Sequence, residues 1–595
     1  MTEHSDSKDV EVNVTGSVGG GGNVGSDVKV VGSLEFVHEY GGNESQPSYQ
    51  EASGAPVENI SSLGLEVTSF TAVFLNIGQM IGTGVFSTPA SILKGVGSVG
   101  LSLVFWVLGF FIGAAQLGIY VELASFFPNR SGAEVVYLEQ AYPRPKYLLP
   151  VMFAVQSVLL SFSSSNCIVM AKYLFATGGY VPSAWEQKGL AVACFTLVLV
   201  LVLFSTRLSL RVSNAVGVIK IITLVFISIT GLVVLGGHTS VQDPTANFRN
   251  SFDSDIKTSG YGLSNALVKV NFAYAGYTNS FNVVNEVKNP IRTMKRTAPA
   301  SLVVVAILYI MCNIAYFAAV SKKDIEGSDV LVASLFFEAV FGTKSAPKAL
   351  NFLIALSAFG NLVSVIIGHS RIIRECGRQG VLPYPRIWAS TRPFGTPLAS
   401  YALKYALTVL MIVAPPAGDA FNFIVDLQSY PSNMFLAATT FGLILIRRNR
   451  AKLSVPRTEF RVWDAAIGFT LAVNLFLLAM PWYPPPSGRF GGDVSFWYAT
   501  YCVTGIGIIL VCVLYYIVWI YVLPHFGKYA IRQELVQLSG ETSKFHRLVK
   551  VPIEDLTSWD AQHDPLGQKL LDSSTNSASR AVSTSSGNDI GEKRI

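Results

Sequence analysis

MIGTGVFSTPA, residues 80–90, decides how the chain is read. It lies within an apolar run at about 67–93. Such a run is long enough to cross a bilayer, which takes roughly 20 apolar residues. Yet its middle holds Gly82, Thr83 and Gly84, and Pro89 follows. Glycine and proline are the weakest helix formers. A span that breaks at its own midpoint needs a reason. Unwound backbone inside a membrane is tolerated only where it is buried in protein or lines a cavity.

The rest of the chain sets the context. Its 595 residues are 50% hydrophobic and 14% charged, against about 25% charged in an ordinary soluble domain. With a positive mean hydropathy, this is the composition of an all-α polytopic membrane protein. The net charge of +6 is no nucleic-acid signal, because the basic residues fall between apolar runs. No cleavable signal peptide is read at the start. Residues 1–65 are polar and are expected to be a disordered tail. Residues 66–523 form the transmembrane domain. Residues 524–595 form a second polar tail, with an amphipathic piece near 529–538 and disorder beyond it, including the Ser-rich stretch 572–586. The six cysteines lie in or near apolar runs without metal-ligand spacing, so neither a disulfide framework, a zinc site nor any cofactor is expected.

Twelve spans are read, at about 67–93, 101–126, 148–176, 189–206, 212–236, 263–285, 297–320, 347–375, 397–414, 419–446, 463–481 and 495–522. The apolar stretch 330–341 is too short to span and reads as an interfacial or re-entrant helix. One set of alternate loops carries basic clusters, such as Lys288, Arg292, Lys295 and Arg296, or Arg447, Arg448, Arg450 and Lys452. The other set carries scattered cations, such as Lys94, Lys188 and Arg249. The basic set belongs in the cytoplasm, which puts both termini there. The sequons at Asn13, Asn43, Asn59 and Asn129 fall on the same side.

Span six contains NFAYAGYTNSF, residues 271–281. It too is interrupted, at Gly276, with Thr278, Asn279 and Ser280 following. Spans one and six open two successive groups of five. Breaks at matching positions in two halves point to a transporter built from inverted repeats. Glycines that only allow close helix packing are the plainer alternative, but it does not predict matching positions. The N–H groups of Gly82, Thr83 and Gly84, opening the second half-helix, can hold a carboxylate. Carbonyls released in both spans can accept from an ammonium. One site thus takes both ends of a zwitterion.

Ionisable residues inside spans are costly and are functional candidates. Lys220 lies in span five. Asp426 in span ten either pairs with a neighbour or couples to protons. Glu122 ends span two, where a cytoplasmic arginine would pair with it. Lys172 is read as snorkelling and His369 as a structural residue of the inner gate. Glu286 with Arg371 and Arg374 would form a cytoplasmic gate network. The serines and Asn166 of SSSN, 163–166, either line the pocket or bond between helices.

At these residues the chain becomes recognisable. GTGVF (82–86) and FAYAGY (272–277) resemble the first- and sixth-helix motifs of the amino acid–polyamine–organocation (APC) transporters. FPNRSGAEVVYL (127–138), NEVKNP (285–290) and SRIIRECGRQGVLP (370–383) fit in the same order. Within that superfamily the chain is most similar to the fungal high-affinity methionine permeases of the L-type branch, through ILKGVGSVG (92–100) and LSFSSSN (160–166). The resemblance implies a five-plus-five inverted-repeat core with two extra helices. It implies uptake of an amino acid across the plasma membrane, driven by protons. By position it gives the substrate carboxylate to Gly82, Thr83 and Gly84. It gives the amine to carbonyls near Met80, Ile81, Phe272, Ala273 and Ala275, beside Gly276 and Tyr277. Phe272 becomes the outer gate. It puts Lys220 where sodium sits in sodium-coupled relatives, so that Lys220 either relays a proton or stands as a fixed cation. Thr83 departs from a common Ser, and Tyr277 and Thr278 from the Trp-Asn of animal L-type members. Those members are disulfide-bonded to a heavy chain through a cysteine between spans three and four. Residues 177–188 hold no cysteine, so no such partner is expected.

The leading function is therefore proton-coupled import of methionine or a similar neutral amino acid. The alternatives are a carrier of another zwitterion or of neutral amino acids broadly, and a sensor that binds without transporting. No repeated filter loop suggests a channel, and no H-E-x-x-H or G-x-S-x-G motif suggests an enzyme. Lys8 and Lys29 in the first tail are candidate ubiquitin acceptors, contacted by a ligase or its adaptor, or else merely solvated lysines.

Overall fold

A long apolar run in a bilayer has one economical solution, a helix that satisfies its own backbone, and the chain takes it repeatedly. The computed structural model describes residues 63–569, apart from 128–129, 255–258, 329–330, 343–344, 416–418, 453–457, 459, 487, 491–493, 539–543, 564–566 and 568, together with 12–13 and 29–30. The expectations for the remainder of the first tail, Lys8 included, for the sequon at Asn129 and for 572–586 fall outside the described residues.

Ten helices among the described residues are long and apolar enough to cross a membrane. They are spans one (Ser69–Ser87), two (Val99–Phe126), three (Leu148–Gly178), four (Ala184–Phe204), five (Thr206–Leu235), seven (Pro290–Ala319), eight (Pro347–Arg378), ten (Phe421–Lys452), eleven (Asp464–Trp482) and twelve (Thr500–Gly527). Spans six (Gly260–Tyr274) and nine (Leu398–Val413) are shorter, 15 and 16 residues, and complete the expected twelve. The stretch read as too short to span is the helix Val332–Phe341, 10 residues long.

Local chemistry sets several ends. The Thr68 hydroxyl accepts from the N–H of Thr71 at the start of span one. Ser183 and Glu186 form a reciprocal capping box at the start of span four. Pro89 opens the helix Pro89–Val96, which continues span one beyond its break, and Gly97 ends it in the left-handed conformation.

Span two packs against span seven, and span three against span eight. A pseudo-twofold that carries each span onto the one five later maps each of those pairings onto itself. Spans one and six meet at the centre: the N–H of Ser280 donates to Asn76 Oδ1 at 2.8 Å. Spans eleven and twelve pack outside, on spans two, three and ten.

The segment after span twelve departs from expectation. Residues 529–538 are not followed by unstructured chain. The strand Tyr529–Gln537 pairs antiparallel with Lys544–Pro552, and the helix Leu556–Gln562 follows. The hairpin docks on the face whose loops carry the basic clusters. Arg378 Nε donates to the Lys544 carbonyl at 3.1 Å, and the Tyr147 hydroxyl to Gln533 Oε1 at 3.1 Å.

Candidate functional site

Breaking span one frees carbonyls, and the fold finds donors for them. Lys220 Nζ donates to the Gly78 and Ile81 carbonyls at 2.7 and 2.6 Å. Asn361 Nδ2 donates to the Gln79 carbonyl. The Tyr309 hydroxyl reaches the Met80 carbonyl at 2.5 Å and the Ala273 carbonyl at 3.0 Å, and so pins the two breaks together. Ser357 Oγ lies 3.3 Å from the Ile81 carbonyl. A buried carbonyl left without a donor costs about 1–3 kcal/mol, so this set of side chains is what makes the break affordable.

The donors of the break are treated differently. The Gly82 N–H closes a turn onto the Met80 carbonyl at 2.8 Å. This corrects the expectation that Gly82 offers its N–H to a carboxylate. Among the described residues, the N–H groups of Thr83, Gly84 and Val85 meet no protein acceptor. They open the short helix Gly84–Ser87. The Thr83 hydroxyl donates to Asn166 Oδ1 at 2.8 Å.

Two glycines are required by geometry. A Cβ on Gly84 would lie 2.6 Å from the Ala273 Cα, so only glycine lets the two broken spans touch. Gly276 has φ +124°, a region open to glycine alone, and backs onto Gln79. On the opposite side of that turn, Ala275 is exposed to the cavity, and its carbonyl accepts no protein hydrogen bond among the described residues.

These groups border a cavity of about 400 Å³, within the size range of small-molecule sites. Met80, Gly82, Thr83, Gly84, Phe272, Ala275, Gly276 and Tyr277 all line it. Ile81 and Ala273, also expected there, lie behind the wall, with their carbonyls engaged by Lys220 and Tyr309. Phe272 stands edge-on to Phe421, with ring centres 5.9 Å apart. Apolar walls come from Phe153, Leu160, Phe162, Val268 and Leu436. Among the described residues, five buried polar atoms on the cavity wall have no protein partner: Gln116 Nε2, Ser163 Oγ, Asn361 Oδ1, His369 Nδ1 and Asn474 Nδ2. Such atoms are rare in a finished core and mark a surface built to meet something else.

The charged residues sort themselves. Lys220 is buried beside span eight and holds span one. Asp426 accepts from Lys269 Nζ at 2.7 Å, tying span ten to span six. Glu122 takes Arg447, as expected of it, at 2.6 Å. Glu286 pairs with Arg371 at 3.0 Å, whereas Arg374 donates to the Ala389 carbonyl. Lys172 is half-buried near the end of span three. His369 lines the cavity rather than only bracing a gate. Of the SSSN residues, Ser163, Ser165 and Asn166 line the cavity, and the Ser163 N–H also bonds across to Thr408 Oγ1.

Sequence reasoning missed three things. Span three is also broken, between Leu148–Leu159 and Ser164–Gly178. Gln428 Nε2 satisfies the freed Leu160 and Phe162 carbonyls at 3.3 and 2.8 Å. Lys404 from span nine is buried, lines the cavity, and approaches the Ser161 carbonyl at 3.4 Å. Lys269 was the third. A lysine inside an apolar run was the available signal for both lysines.

A family model described as "Amino acid permease" matches residues 67–523. The chain belongs to the amino acid permease family. The permease is 34% identical over 497 residues to the high-affinity methionine permease of Saccharomyces cerevisiae, covering 83% of this chain and 86% of that one. It is 28% identical to the low-affinity methionine permease of the same yeast, over 80% of this chain and 86% of that one. It is 27% identical to the mouse b(0,+)-type amino acid transporter 1, over 78% and 89%. The permease is an integral membrane protein that transports amino acids, and it is not an enzyme.

Proposed function

We propose that the permease imports L-methionine, or a neutral amino acid like it, across the plasma membrane by alternating access coupled to protons, with both termini in the cytoplasm. The observation that carries the reading is the set of backbone groups at the two breaks that meet no protein partner among the described residues. The N–H groups of Thr83, Gly84 and Val85 suit a carboxylate, and the Ala275 carbonyl suits an ammonium. Thr83, Gly84 and Ala275 line one cavity, whose other walls mix apolar side chains such as Phe153, Leu160 and Leu436 with polar ones such as Gln116, Asn361 and Asn474. Phe272 closes over the bound amino acid, and Tyr277 shapes the far wall. Lys220 and the Asp426–Lys269 pair are the candidates inside the spans for proton coupling. The likeness to two yeast methionine permeases supports the choice of side chain.

Uptake of labelled methionine in fungal cells lacking their own methionine permeases tests this. The expected result is saturable uptake, stronger at acidic pH, abolished by a protonophore, and competed by cysteine or leucine more than by GABA. Absence of uptake despite surface expression would overturn the reading. The tails carry a second, smaller proposal: Lys8 and Lys29 accept ubiquitin. Replacing both with Arg should block substrate-induced internalisation, and unchanged internalisation would remove the idea.

A further inference from the structure

Four carboxylates on the basic face are each matched to a guanidinium: Glu122 to Arg447, Glu139 to Arg130, Glu286 to Arg371 and Glu375 to Arg378. Glu134 is not. It opens the helix Glu134–Ala141 between spans two and three, is half-buried, and lines the cavity. Its carboxylate takes a hydrogen bond from the Tyr120 hydroxyl and is also stabilised by its own backbone N–H. No described cation pairs with it.

The surroundings are aromatic and neutral. Tyr120 stacks edge-on against Tyr137 and Phe281, at 5.8 and 5.9 Å between ring centres. The titratable neighbours are Tyr120 from span two, Tyr137 from the same short helix and Tyr277 from span six. Span eight, packed on this helix, brings Arg371, Glu375 and Arg378, all in ion pairs, and the cavity-lining His369. The cavity-lining residues of spans three and ten are uncharged, and span nine contributes Lys404.

The backbone is strained to put the carboxyl there. Ala133, just before it, sits at φ +44°, a conformation that costs a non-glycine residue of order 1–3 kcal/mol. Ser131 is bonded to Asn285 beyond the break in span six, so the loop that presents Glu134 is tied to the second half of that broken span. Burial raises the carboxyl above its ordinary range, with the Tyr120 hydrogen bond working the other way.

We propose that Glu134 is a proton-binding residue of the transport cycle, protonated while the cavity is closed toward the basic face and deprotonated once that face opens. This rests on the proton coupling proposed above. An unpaired carboxylate walled in by tyrosines is disfavoured in a closed cavity. A proton arriving from the cavity binds a carboxylate oxygen of Glu134 and makes closure cheap. When the basic face opens, water reaches the group, the proton leaves into it, and the carboxylate is solvated. When the basic face closes again the carboxylate is still charged. It stays disfavoured until the cavity opens to the other side and supplies the next proton, so that each cycle carries one proton and leaves the protein unchanged.

The test uses the full chain in liposomes with labelled L-methionine. Two activities are compared: accumulation under an inward proton gradient, and counterflow exchange without one. The wild type is expected to show both. Glu134→Gln, which mimics the protonated group, should keep counterflow and lose accumulation. Glu134→Asp should keep both, with a displaced pH profile. Infrared difference spectra of wild type against Glu134→Gln should show a protonated carboxylic acid in the wild type that persists above the pH at which ordinary glutamates ionise. Accumulation in Glu134→Gln equal to wild type overturns the assignment and leaves proton coupling standing. Loss of counterflow as well, or absence of the infrared band, assigns Glu134 to building the gate and also overturns it. A wild type that exchanges methionine but ignores the gradient removes proton coupling itself, and this role with it.

Discussion

Lys220 shows how one side chain holds an interrupted helix in place. Its ammonium bonds two carbonyls that the break in span one left without helical donors. Lys220→Met removes both bonds and leaves two buried acceptors. The expected loss is about 2 kcal/mol or more of stability, read as a lowered Tm in detergent, together with loss of uptake. An unchanged Tm would mean that the two carbonyls find other donors and that the lysine is not what supports the break. Gly84 works by absence. Gly84→Ala puts a methyl 2.6 Å from the Ala273 Cα, which real packing does not allow. Spans one and six must then move apart, and methionine binding should fall by about tenfold or more even if the protein folds, because a small displacement of a positioned group costs about that much. Isothermal titration on the purified variant measures it.

Buried ion pairs between whole spans separate structure from coupling. Lys269 and Asp426 tie span six to span ten with both side chains buried. Removing one partner of such a buried pair costs about 3–5 kcal/mol, whereas replacing both partners with apolar residues is often nearly neutral. Asp426→Leu alone should therefore destabilise strongly, and Lys269→Met with Asp426→Leu should recover most of the loss. If the double variant still accumulates substrate under a proton gradient, Asp426 is a tie between spans. If it folds, exchanges and no longer responds to the gradient, the pair is part of the coupling. The breaks in spans one and six were legible because glycine and proline announce them locally. The break in span three was not. LSFSSSN holds neither residue, and its unwound carbonyls are satisfied by Gln428 and Lys404 from distant spans. The hairpin after span twelve was hidden for a different reason. Its two strands are close in sequence, Gln537 pairing with Lys544, but the polar composition of the segment reads as a tail and does not announce the pairing with Lys544–Pro552. A break supported by side chains from distant spans leaves no local trace, whereas one made by glycine or proline does.

For the molecule as a whole, transport requires the two faces to open in turn, and the structure concentrates its locks on the basic face. Glu286 and Arg371 are almost fully buried there. The carbonyl of Glu286 also accepts from the N–H of Val67, ahead of span one, at 3.2 Å. One residue thus joins the entrance of span one, the exit of span six and the end of span eight. Removing a partner from a buried pair costs about 3–5 kcal/mol, as much as the few kcal/mol that separate alternative states of such a molecule. Glu286→Gln should therefore shift the population toward a state open at the basic face. Ile372 lines the cavity next to Arg371, and all six native cysteines are buried, so Ile372→Cys is a suitable reporter. Its labelling by maleimide from the basic side should be roughly tenfold faster with Glu286→Gln than without it. Labelling from the other side should slow in step, because both rates draw on one equilibrium. Faster labelling from both sides would point to general loosening of the helices. Equal rates in the two proteins would mean that the pair joins the spans without holding the face shut.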